Sequence, residues 1–550
     1  MQTKRQRLLL HWQQLKNERE SWIPHWQEIS RYLLPRSGRY FPADRNRGDK
    51  RNKDIIDNTG TRALRVLAAG MMAGMTSPAR PWFRLTTSVP ELDESSAVKK
   101  WLADVTRLMQ MIFAKSNTYR ALHSMYEELG AFGTASSVVL GDFKNVIHFY
   151  PLTSGEYAIA TDPRGQVDTL YREYQMTVAQ MVRAFGRENC SRAVQTLWDH
   201  GSLEEWISVI QAVEPRTDRD ASKRDARNMA WESVYFEWGS NEDQLLRESG
   251  FRQFPALCPR WAVSGGDIYG NSPAMEALGD IEQLQHEQVR KSQGIDYQSM
   301  PPLQAPTAMK FAGVNLLPGG VTYGDSATTS GGIRSAFEVR LDLSHLTADI
   351  ADVRERVNSS FYANLFLMFD NLTDPRMTAT EVAERHEEKL LMLGPVLERM
   401  HNELLSPLIE MAFARMVEAG IVPPPPEELQ GRELSVEFVS MLAQAQRAIA
   451  TNSVDRFVMH LGAIAGFKPE VLDKFDSDRW ADAYADMLGV DPELIISGEK
   501  VALIRQQRAQ AQQAMQQAEM LQQGADAAQK LGSVDTSKPN ALTDVTRQFS

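Results

Sequence analysis

The sequence predicts an α+β fold in which helices predominate. Apolar side chains recur at helical spacing over most of the chain. Short runs of β-branched and aromatic residues, separated by Gly, Asp and Pro, predict antiparallel strands at about 135–174 and 231–254. Because the chain has 550 residues, several domains are expected.

Composition excludes several classes of protein. The chain has two cysteines, Cys190 and Cys258, so no disulfide framework is expected. The apolar run near the N-terminus is too short for a signal peptide. The sequence contains no run of about 18 apolar residues, so no membrane span is expected. The formal net charge is −11, whereas proteins that grip DNA tightly usually present a basic face. The sequence therefore predicts neither a membrane partner nor a tight DNA-binding surface.

The N-terminal part is predicted to be helical on both sides of a basic loop. A helix at 4–35 is interrupted by Pro24, a second follows capping residues at 57–59, and a third is predicted at 97–131. We expect the basic segment to be a solvated loop, with a contact to DNA or to a neighbouring subunit as the alternative. Its charged residues are Arg36, Arg39, Arg45, Arg47, Lys50, Arg51 and Lys53.

Strands are predicted next, with one helical interruption. Within the first group, Asp162-Pro163-Arg164-Gly165 predicts a hairpin turn. Residues 176–210 are predicted to be helical, and strands resume at 213–214, 231–238 and 245–254. The first 260 residues are therefore predicted to form an α+β domain.

A long helix with a marked N-terminus is predicted at 273–297. Ser272 is a favourable N-cap residue, and Pro273 fits the first helical position, where its missing N–H is not needed. The helix has about 24 residues, or roughly 36 Å at 1.5 Å per residue. This length suits either a core helix or a strut in a large assembly. The helix and the glycine-rich turn before it contain Trp261, Gly266, Asp267, Tyr269, Gly270, Ser272, Pro273, Ala277, Leu278, Asp280 and Ile281.

The remainder of the chain is predicted to alternate between irregular segments and helices. Residues 301–340 are rich in Gly, Pro, Ser and Thr, so no long helix fits there. A helix at 344–368 carries one apolar face, formed by Leu346, Ile350, Val353, Val357, Phe361, Leu365 and Met368. The later elements are a polar loop at 370–377, a long helix to Ala419 interrupted at Gly394-Pro395 and at Pro407, a stiff spacer at 423–426, a strand at 434–439 and helices from 440 to about 530.

Two segments of the chain resemble, in this order, the signature of portal proteins. These are the head-to-tail connectors of tailed double-stranded-DNA bacteriophages, and the short-tailed group is the most similar. The first segment is DNTGTRALRVLAAGMMAGMTSPARPWFRL at 57–85, and the second contains the motif residues of 261–281. The resemblance extends from about residue 5 to about residue 420 and is weaker after residue 440.

The resemblance implies a portal-type subunit with wing, stem, clip and crown, assembled in a ring. The implied segments are a wing at 1–260, a first stem helix at 261–297, a clip at 298–340, a second stem helix at 341–369, a tunnel loop at 370–378, a long kinked helix returning to the wing at 379–422, a linker and strand at 423–439, a helical crown at 440–530 and a disordered tail at 531–550. The tunnel loop would line the narrowest part of the channel with Asp370, Asn371, Thr373, Asp374 and Arg376.

The function implied by the resemblance is structural. A ring of twelve copies would assemble in the host cytoplasm and occupy one capsid vertex of the virion, where double-stranded DNA is packaged and ejected through its channel without sequence specificity. The implied protein partners are the terminase, the major capsid and scaffolding proteins, and tail or head-completion adaptor proteins. A net charge of −11 is compatible with this function, because an acidic or mixed channel lets DNA slide.

No catalytic site is predicted. The GxxxxGK[ST], HExxH and GxSxG patterns are absent, so no enzymatic activity, cofactor or metal is expected. The first alternative function is a phage nucleic-acid-processing enzyme, which would need clustered metal-binding carboxylates and a basic groove. The second is a helical scaffolding or adaptor protein, which would be more uniformly helical than a chain with strands at 135–174.

Overall fold

The computed structural model describes residues 2–41, 48, 50–89, 95–220, 222–223, 225–240, 242–304, 310, 334–335, 344–368, 393–432, 434–439, 457–468, 470–471, 475–488, 496 and 498–532. The chain divides into two compact units, Met1–Asp93 with Lys100–Ile449 and Glu94–Lys99 with Ala450–Ser550. The predicted tunnel loop at 370–378 lies outside the described residues, as does most of the predicted clip at 298–340.

Helices and strands are mixed along the chain before residue 440, and helices predominate, as the α+β prediction requires. The described helices are α1 (Lys4–Glu20), α2 (Ile23–Tyr32), α3 (Thr59–Met75), α4 (Ser96–Lys115), α5 (Thr118–Phe132), α6 (Val178–Phe185), α7 (Arg192–Asp199), α8 (Pro273–Ser299), α9 (Ser344–Ser360), α10 (Ala363–Met368), α11 (393–400) and α12 (Ser406–Glu418). The described strands are β1 (Phe83–Thr87), β2 (Ser136–Asp142), β3 (Val146–Leu152), β4 (Tyr157–Thr161), β5 (Val167–Thr177), β6 (Trp206–Pro215), β7 (Trp231–Glu237), β8 (Arg247–Phe251), β9 (Ala256–Leu257), β10 (Leu303–Gln304), β11 (Arg334–Ser335) and β12 (Leu434–Phe438).

The largest sheet among the described residues has five antiparallel strands in the order β4-β5-β6-β7-β8. The turn between β4 and β5 is the predicted hairpin, in which Gly165 has a φ of +79° and donates its N–H to the Asp162 carbonyl at 2.9 Å. Helix α1 covers one face of the sheet. The buried cluster between them contains Leu8, Trp12, Leu15, Ala158, Tyr171, Ile210, Ala212, Val234 and Phe236.

The helix predicted at 176–210 is wrong over much of that range. Only α6, α7 and a short 3-10 turn at Arg187–Asn189 are helical. Strand β6 begins at Trp206, which pairs with Thr177 of β5. Strand β6 is central in the sheet, with β5 on one side and β7 on the other, and Val209 and Ile210 are fully buried. Pairing with strands distant in sequence therefore overrides the local helical pattern.

Two of the predicted N-terminal helices are each replaced by two shorter helices in the structure. The helix expected at 4–35 ends at Glu20 and restarts at Ile23, so that Pro24 lies in the first turn of α2. The helix expected at 97–131 breaks between α4 and α5. There the Asn117 side chain donates to the carbonyl of Phe149 at 2.8 Å and accepts from the N–H of Phe149 at 2.9 Å. Asn117 thus closes the outer edge of β3 in the sheet β3-β2-β9.

The two predicted stem helices pack against each other as α8 and α9. The first begins at Pro273, as the capping residues predict, and runs to Ser299. Residues 261–272, which the resemblance places in the same segment, form the turn described below. The second is broken at Tyr362, whose φ is +54°. The break lets Phe366 of α10 lie against Gly70 of α3, where a Cβ would come within 2.1 Å of the phenyl ring. The apolar face predicted for the helix at 344–368 is buried at Ile350, Val353, Val357, Phe361 and Leu365.

The predicted long helix at 379–422 is described from residue 393 onward. Residues 393–400 are helical, with Gly394 and Pro395 in the first described turn and Leu393 and Leu397 buried. The interruption at Pro407 takes the form of a π-helical turn, His401–Leu405, directly before α12. The strand predicted at 434–439 is β12, and it pairs antiparallel with β1.

The second unit is helical in its described part. Its helices are α13 (457–465), α14 (Ser477–Leu488) and α15 (Gly498–Gly532). Helix α15 extends two residues into the tail predicted to be disordered at 531–550, and 533–550 lie outside the described residues. Arg505 of α15 pairs with Asp478 of α14, with Nη2 and Oδ1 separated by 2.7 Å. Among the helices that the structure describes, none combines the length and apolar character needed to cross a membrane.

Candidate functional site

The glycine-rich turn before α8 is closed at its base by backbone hydrogen bonds. The N–H of Trp261 donates to the Gly133 carbonyl at 2.8 Å, and the N–H of Asn271 donates to the Ala262 carbonyl at 2.7 Å. Two isolated antiparallel bridges, Thr134 with Arg260 and Ala262 with Asn271, lie at this base. Trp261 is buried, and its ring centroid lies 6.2 Å from that of Tyr362, at the break between α9 and α10.

At this base, Gly133 and Gly270 allow two backbone segments to cross in direct contact, which we call the Gly133–Gly270 crossing. A Cβ on Gly270 would lie 2.3 Å from the carbonyl oxygen of Gly133, and a Cβ on Gly133 would lie 2.1 Å from the carbonyl oxygen of Gly270. Gly133 also has a φ of +72°, at the end of α5. The N–H of Gly270 donates to the Thr134 hydroxyl at 2.8 Å. Gly270 is thus required for close packing of the turn on α5.

Tyr269 joins the turn to the N-terminal helices and to the edge of the large sheet. Its ring centroid lies 5.1 Å from that of Trp26 in an edge-to-face arrangement and 5.9 Å from that of Trp22. Its hydroxyl accepts a hydrogen bond from the N–H of Ile159 at 3.3 Å, which satisfies a backbone group of the edge strand β4. Burial raises the pKa of Tyr269 to about 12, so the phenol stays neutral.

Ser272 and Pro273 start α8, as the sequence predicts. The Ser272 hydroxyl accepts from the N–H of Met275 at 3.1 Å and donates to the Ala131 carbonyl of α5 at 2.8 Å. The same side chain therefore caps α8 and fixes its start against α5. Gly266 and Asp267 are exposed at the tip of the turn, and a Cβ on Gly266 would meet nothing within 4 Å. Packing explains the other predicted motif residues but not these two.

An ion pair that sequence reasoning missed anchors the turn to the π-helical turn. Arg260 is 3% exposed, and its Nη2 lies 2.8 Å from Oε1 of Glu403. The N–H of Arg260 donates to the other carboxylate oxygen at 2.9 Å, and Nη2 also donates to the Gly165 carbonyl at 2.6 Å. Arg399 donates to the same carboxylate at 2.7 Å. Because Arg260 and Glu403 are 143 residues apart in sequence, no local pattern indicates their ion pair.

A polar cluster around Asp57, also missed, connects α3, α8 and α9. Oδ2 of Asp57 accepts from Gln288 at 2.8 Å and from Nη2 of Arg354 at 2.7 Å, and Oδ1 accepts from the N–H of Thr59 at 2.9 Å. Gln285 accepts the N–H of Asp57 at 2.8 Å and donates to its carbonyl at 3.0 Å. We call these five residues the Asp57 clasp. A glutamine within the apolar stripe of α8, next to Leu284, was the signal available in the sequence.

Charges on the Asp57 clasp are stabilised by direct contacts. Burial alone raises the pKa of Asp57, but hydrogen bonds from Thr59 and Arg354 outweigh it and leave the pKa below its ordinary value. The carboxylate is therefore ionised at neutral pH. On the exposed side of the same helix pair, Nη2 of Arg356 on α9 lies 3.1 Å from Oδ1 of Asp280 on α8. Helices α8 and α9 are thus held together by both buried and exposed polar contacts.

Comparison with known proteins decides the family. Residues 5–496 match the family model described as bacteriophage head to tail connecting protein. The chain belongs to this family. The probable portal protein of Bordetella phage BPP-1 is 74% identical to it over 549 residues, which are 100% of this chain and 99% of that protein. The portal protein of Salmonella phage epsilon15 is 46% identical over 545 residues, which are 99% of this chain and 98% of that protein.

One solved structure has a weaker likeness to this head-to-tail connecting protein. It is the neck of an empty GTA particle computed with C6 symmetry, with a TM-score of 0.37 and 11% identity over 84% of this chain and 99% of that chain. A TM-score this low supports no conclusion.

Membership in the head-to-tail connecting family confirms that the chain is a structural connector rather than an enzyme. Across the part of the chain that the structure describes, no group of three or more His, Cys, Asp or Glu side chains is placed to hold a metal ion. The candidate tunnel-loop residues of this connector, which are Asp370, Asn371, Thr373, Asp374 and Arg376, lie outside the described residues. We call the Gly133–Gly270 crossing, Ser272, the Arg260–Glu403 pair and the Asp57 clasp the hub.

Proposed function

We propose that the chain is the portal subunit of a tailed double-stranded-DNA bacteriophage. Twelve copies form a closed ring at one capsid vertex, and DNA is packaged and ejected through the central channel. The observation that carries this proposal is similarity over the whole chain to two proteins named as portal proteins, at 74% and 46% identity. Both matches span nearly the full length of this chain and of the relatives.

In this proposal, α8 and α9 are the stem helices of the channel wall. The geometry of the hub supports this role, because a wall helix under load from moving DNA needs fixed ends and fixed neighbours. The start of α8 is held by Ser272 and by the Gly133–Gly270 crossing, and the Asp57 clasp joins the middle of α8 to α9. Residues 1–260 then form the wing, 379–422 the long kinked helix that returns to the wing, 423–439 the linker and strand, 298–340 the clip and 440–530 the crown.

The tunnel loop is assigned to 370–378, between α10 and the long helix. A short polar segment at this position of the chain resembles the tunnel loop of portal proteins, which lines the narrowest part of the channel. Asp370, Asp374 and Arg376 give the loop a mixed charge with an acidic balance. Such a loop repels phosphates and lets DNA pass without sequence specificity.

The proposed partners follow from the position at the vertex. The ring receives DNA from the terminase, contacts the major capsid and scaffolding proteins during assembly in the host cytoplasm, and later seats tail or head-completion adaptor proteins. A ring of identical subunits uses head-to-tail interfaces that must close on themselves. The clip, at 298–340, is the segment we assign to the docking of terminase and tail proteins.

The experiment that tests this function measures particle mass and shape on one sample. Twelve chains of 61.9 kDa give a particle of about 740 kDa, and negative-stain images should show a ring with a central hole. The measurement is made on the full chain, alone and together with the capsid and scaffolding proteins. A chain that remains a monomer under both conditions would contradict the proposal.

A further inference from the structure

We infer that a cleft between α5, β3 and β5 binds a phosphate group. The cleft has a volume of about 440 Å³. Its walls include Arg120 and Ser124 of α5, His148 and Tyr150 of β3, and Arg172 of β5. We call it the Arg172 cleft. All of these residues belong to one subunit, so the site does not depend on the proposed ring.

Three arginines and one carboxylate set the charge of the Arg172 cleft. Glu156 also lines it, and Nη1 of Arg39 lies 3.8 Å from Oε1 of Glu156. Among the described residues, neither Arg120 nor Arg172 has a carboxylate as an ion-pair partner. Three positive charges against one negative charge leave +2 when Glu156 is ionised, in a chain whose formal net charge is −11. An anion is therefore attracted to this cleft although the chain as a whole is acidic.

Arg172 is held in place by neutral groups. Its Nε donates to Oε1 of buried Gln211 on the neighbouring strand β6 at 2.6 Å, and its guanidinium carbon lies 4.7 Å from the ring centroid of Tyr174. A guanidinium has five N–H donors in a rigid fork, so the bond to Gln211 leaves most of them for an anion. Because the side chain is already positioned, less entropy is lost when the anion binds.

The first turn of α5 adds partial positive charge to the same cleft. Asn117 and Ala121 line the cleft beside Arg120. Asn117 occupies the N-cap position, but its side chain exchanges two hydrogen bonds with the backbone of Phe149 and does not cap the helix. The positive end of the helix dipole is therefore not compensated by this side chain. This contribution adds to that of the arginines and would not define a site by itself.

A phosphate fits the Arg172 cleft better than a carboxylate does. A carboxylate is already present as Glu156, and it forms no ion pair with Arg120 or Arg172. A phosphate group carries up to two negative charges and has more acceptor oxygens than a carboxylate, so it can contact several arginines at once. Tyr150, which is 43% exposed, adds a hydroxyl donor to the wall of the cleft.

The neighbouring acidic residues belong to a different cleft. Glu127 and Glu128 line a smaller cleft of about 200 Å³, and they lie about two turns further along α5 than Arg120. The carboxylate of Glu128 is buried and accepts from the Thr153 hydroxyl at 2.7 Å and from the Ser154 N–H at 3.1 Å. Phosphate is therefore expected in the Arg172 cleft and not in its acidic neighbour.

The test offers two sources of phosphate to the full-length chain. Fluorescence anisotropy of a labelled DNA duplex of arbitrary sequence measures binding to backbone phosphate, and calorimetric titration measures binding of inorganic phosphate. Arg120→Gln and Arg172→Gln each remove one positive charge from the cleft. The matched control, Arg164→Gln, removes one positive charge from the exposed tip of the β4–β5 hairpin.

We expect each cleft variant to weaken binding of at least one probe roughly tenfold, as for loss of a hydrogen bond to a charged group. If the phosphate belongs to DNA, the slope of log K against log salt concentration should also fall by about one. A loss with inorganic phosphate alone identifies free phosphate as the ligand. Because Arg120 is exposed, Arg120→Gln tests the site even if Arg172→Gln, which loses the bond to Gln211, fails to fold.

Three outcomes would overturn the phosphate site. The first is an unaltered chain that binds neither probe. The second is binding by the folded cleft variants that equals that of the unaltered chain. The third is an equal loss in Arg164→Gln, which would indicate an effect of total charge. Particle mass is measured separately, so failure of the phosphate site leaves the proposed ring unaffected.

Discussion

The carboxylate of Asp57 accepts hydrogen bonds from Nη2 and Nε of Arg354, at 2.7 and 3.1 Å, across 297 residues of sequence. Asp57 precedes α3, and Arg354 lies on α9. Gln288 of α8 donates to the same oxygen, so one buried carboxylate joins three helices. The position of α9 beside α8 therefore depends on a residue from the N-terminal part of the chain.

We predict that Asp57→Ala destabilises the fold by about 1–3 kcal/mol. The substitution removes the buried acceptor shared by the half-buried donors of Thr59 and Gln288 and by the more exposed guanidinium of Arg354. The measurement is urea unfolding of the full chain near neutral pH. The control is Asp352→Ala, which removes an exposed ion pair to Arg356 within α9 and should change stability by less than about 0.5 kcal/mol. Equal effects of the two substitutions would contradict a special role for Asp57.

The contribution of Asp57 should also depend on pH. Its pKa is lower in the folded chain than in the unfolded chain, so its stabilisation is present above the unfolded value of about 4. That stabilisation is lost as the pH falls through the folded pKa. The difference in unfolding free energy between the unaltered chain and Asp57→Ala should therefore be largest near neutral pH and shrink on acidification. A difference that stays constant down to low pH would count against the ionised carboxylate as its source.

Local signals in the sequence predict the elements of the hub, but not the contacts that join them. Ser272 and Pro273 mark the start of α8 because capping and the fixed φ of proline act within one turn. The Asp57 clasp and the Arg260–Glu403 pair depend on residues that meet only after folding, so their side chains carry no periodic pattern. The same reason explains the errors in the fold. Trp206 lies in a strand because β5 and β7 flank it, and the helix break at Asn117 depends on distant Phe149.

Glu128 should make the stability of the first unit fall as the pH rises. Burial raises the pKa of this fully enclosed carboxyl from its ordinary value of 4.5 to about 7, although the Thr153 hydroxyl and the Ser154 N–H partly oppose the shift. A raised folded pKa means that the stabilisation is complete below the unfolded pKa and is lost as the pH rises through about 7. The unfolding free energy should fall by about 3 kcal/mol between pH 5 and 8. It changes by about 1.4 kcal/mol for each pH unit between the unfolded and the folded pKa.

The matched variant for this prediction is Glu128→Gln, which keeps the shape but stays neutral. Its stability should change less between pH 5 and 8 than that of the unaltered chain. Glu156, which is half-buried and also has a raised pKa, contributes in the same direction and remains in both proteins. The measurement is urea unfolding at several pH values. The same pH dependence in both proteins would exclude Glu128 as its source.

We predict that Gly270→Ala prevents correct docking of the turn on α5. The new Cβ would lie 2.3 Å from the Gly133 carbonyl oxygen, so the two backbones must separate and the hydrogen bond from Gly270 to Thr134 is strained. We expect a loss of about 3 kcal/mol or more, comparable to other severe backbone clashes. The control is Gly266→Ala, which has nothing within 4 Å of the new Cβ and should be nearly neutral. Thermal unfolding of both variants measures this difference, and similar midpoints would contradict the crossing.

Deletion of 370–377 should separate ring assembly from DNA movement. The described contacts that hold α8 and α9 do not involve these residues, so the variant should still form rings of the same particle mass. DNA packaging or retention should fall strongly, because the proposed constriction is lost. A variant of unchanged length, with Asp370 and Asp374 replaced by Asn and Arg376 by Gln, distinguishes loop charge from loop shape. If the deletion abolishes rings, the segment has a structural role in the subunit, and its assignment as the tunnel loop is wrong.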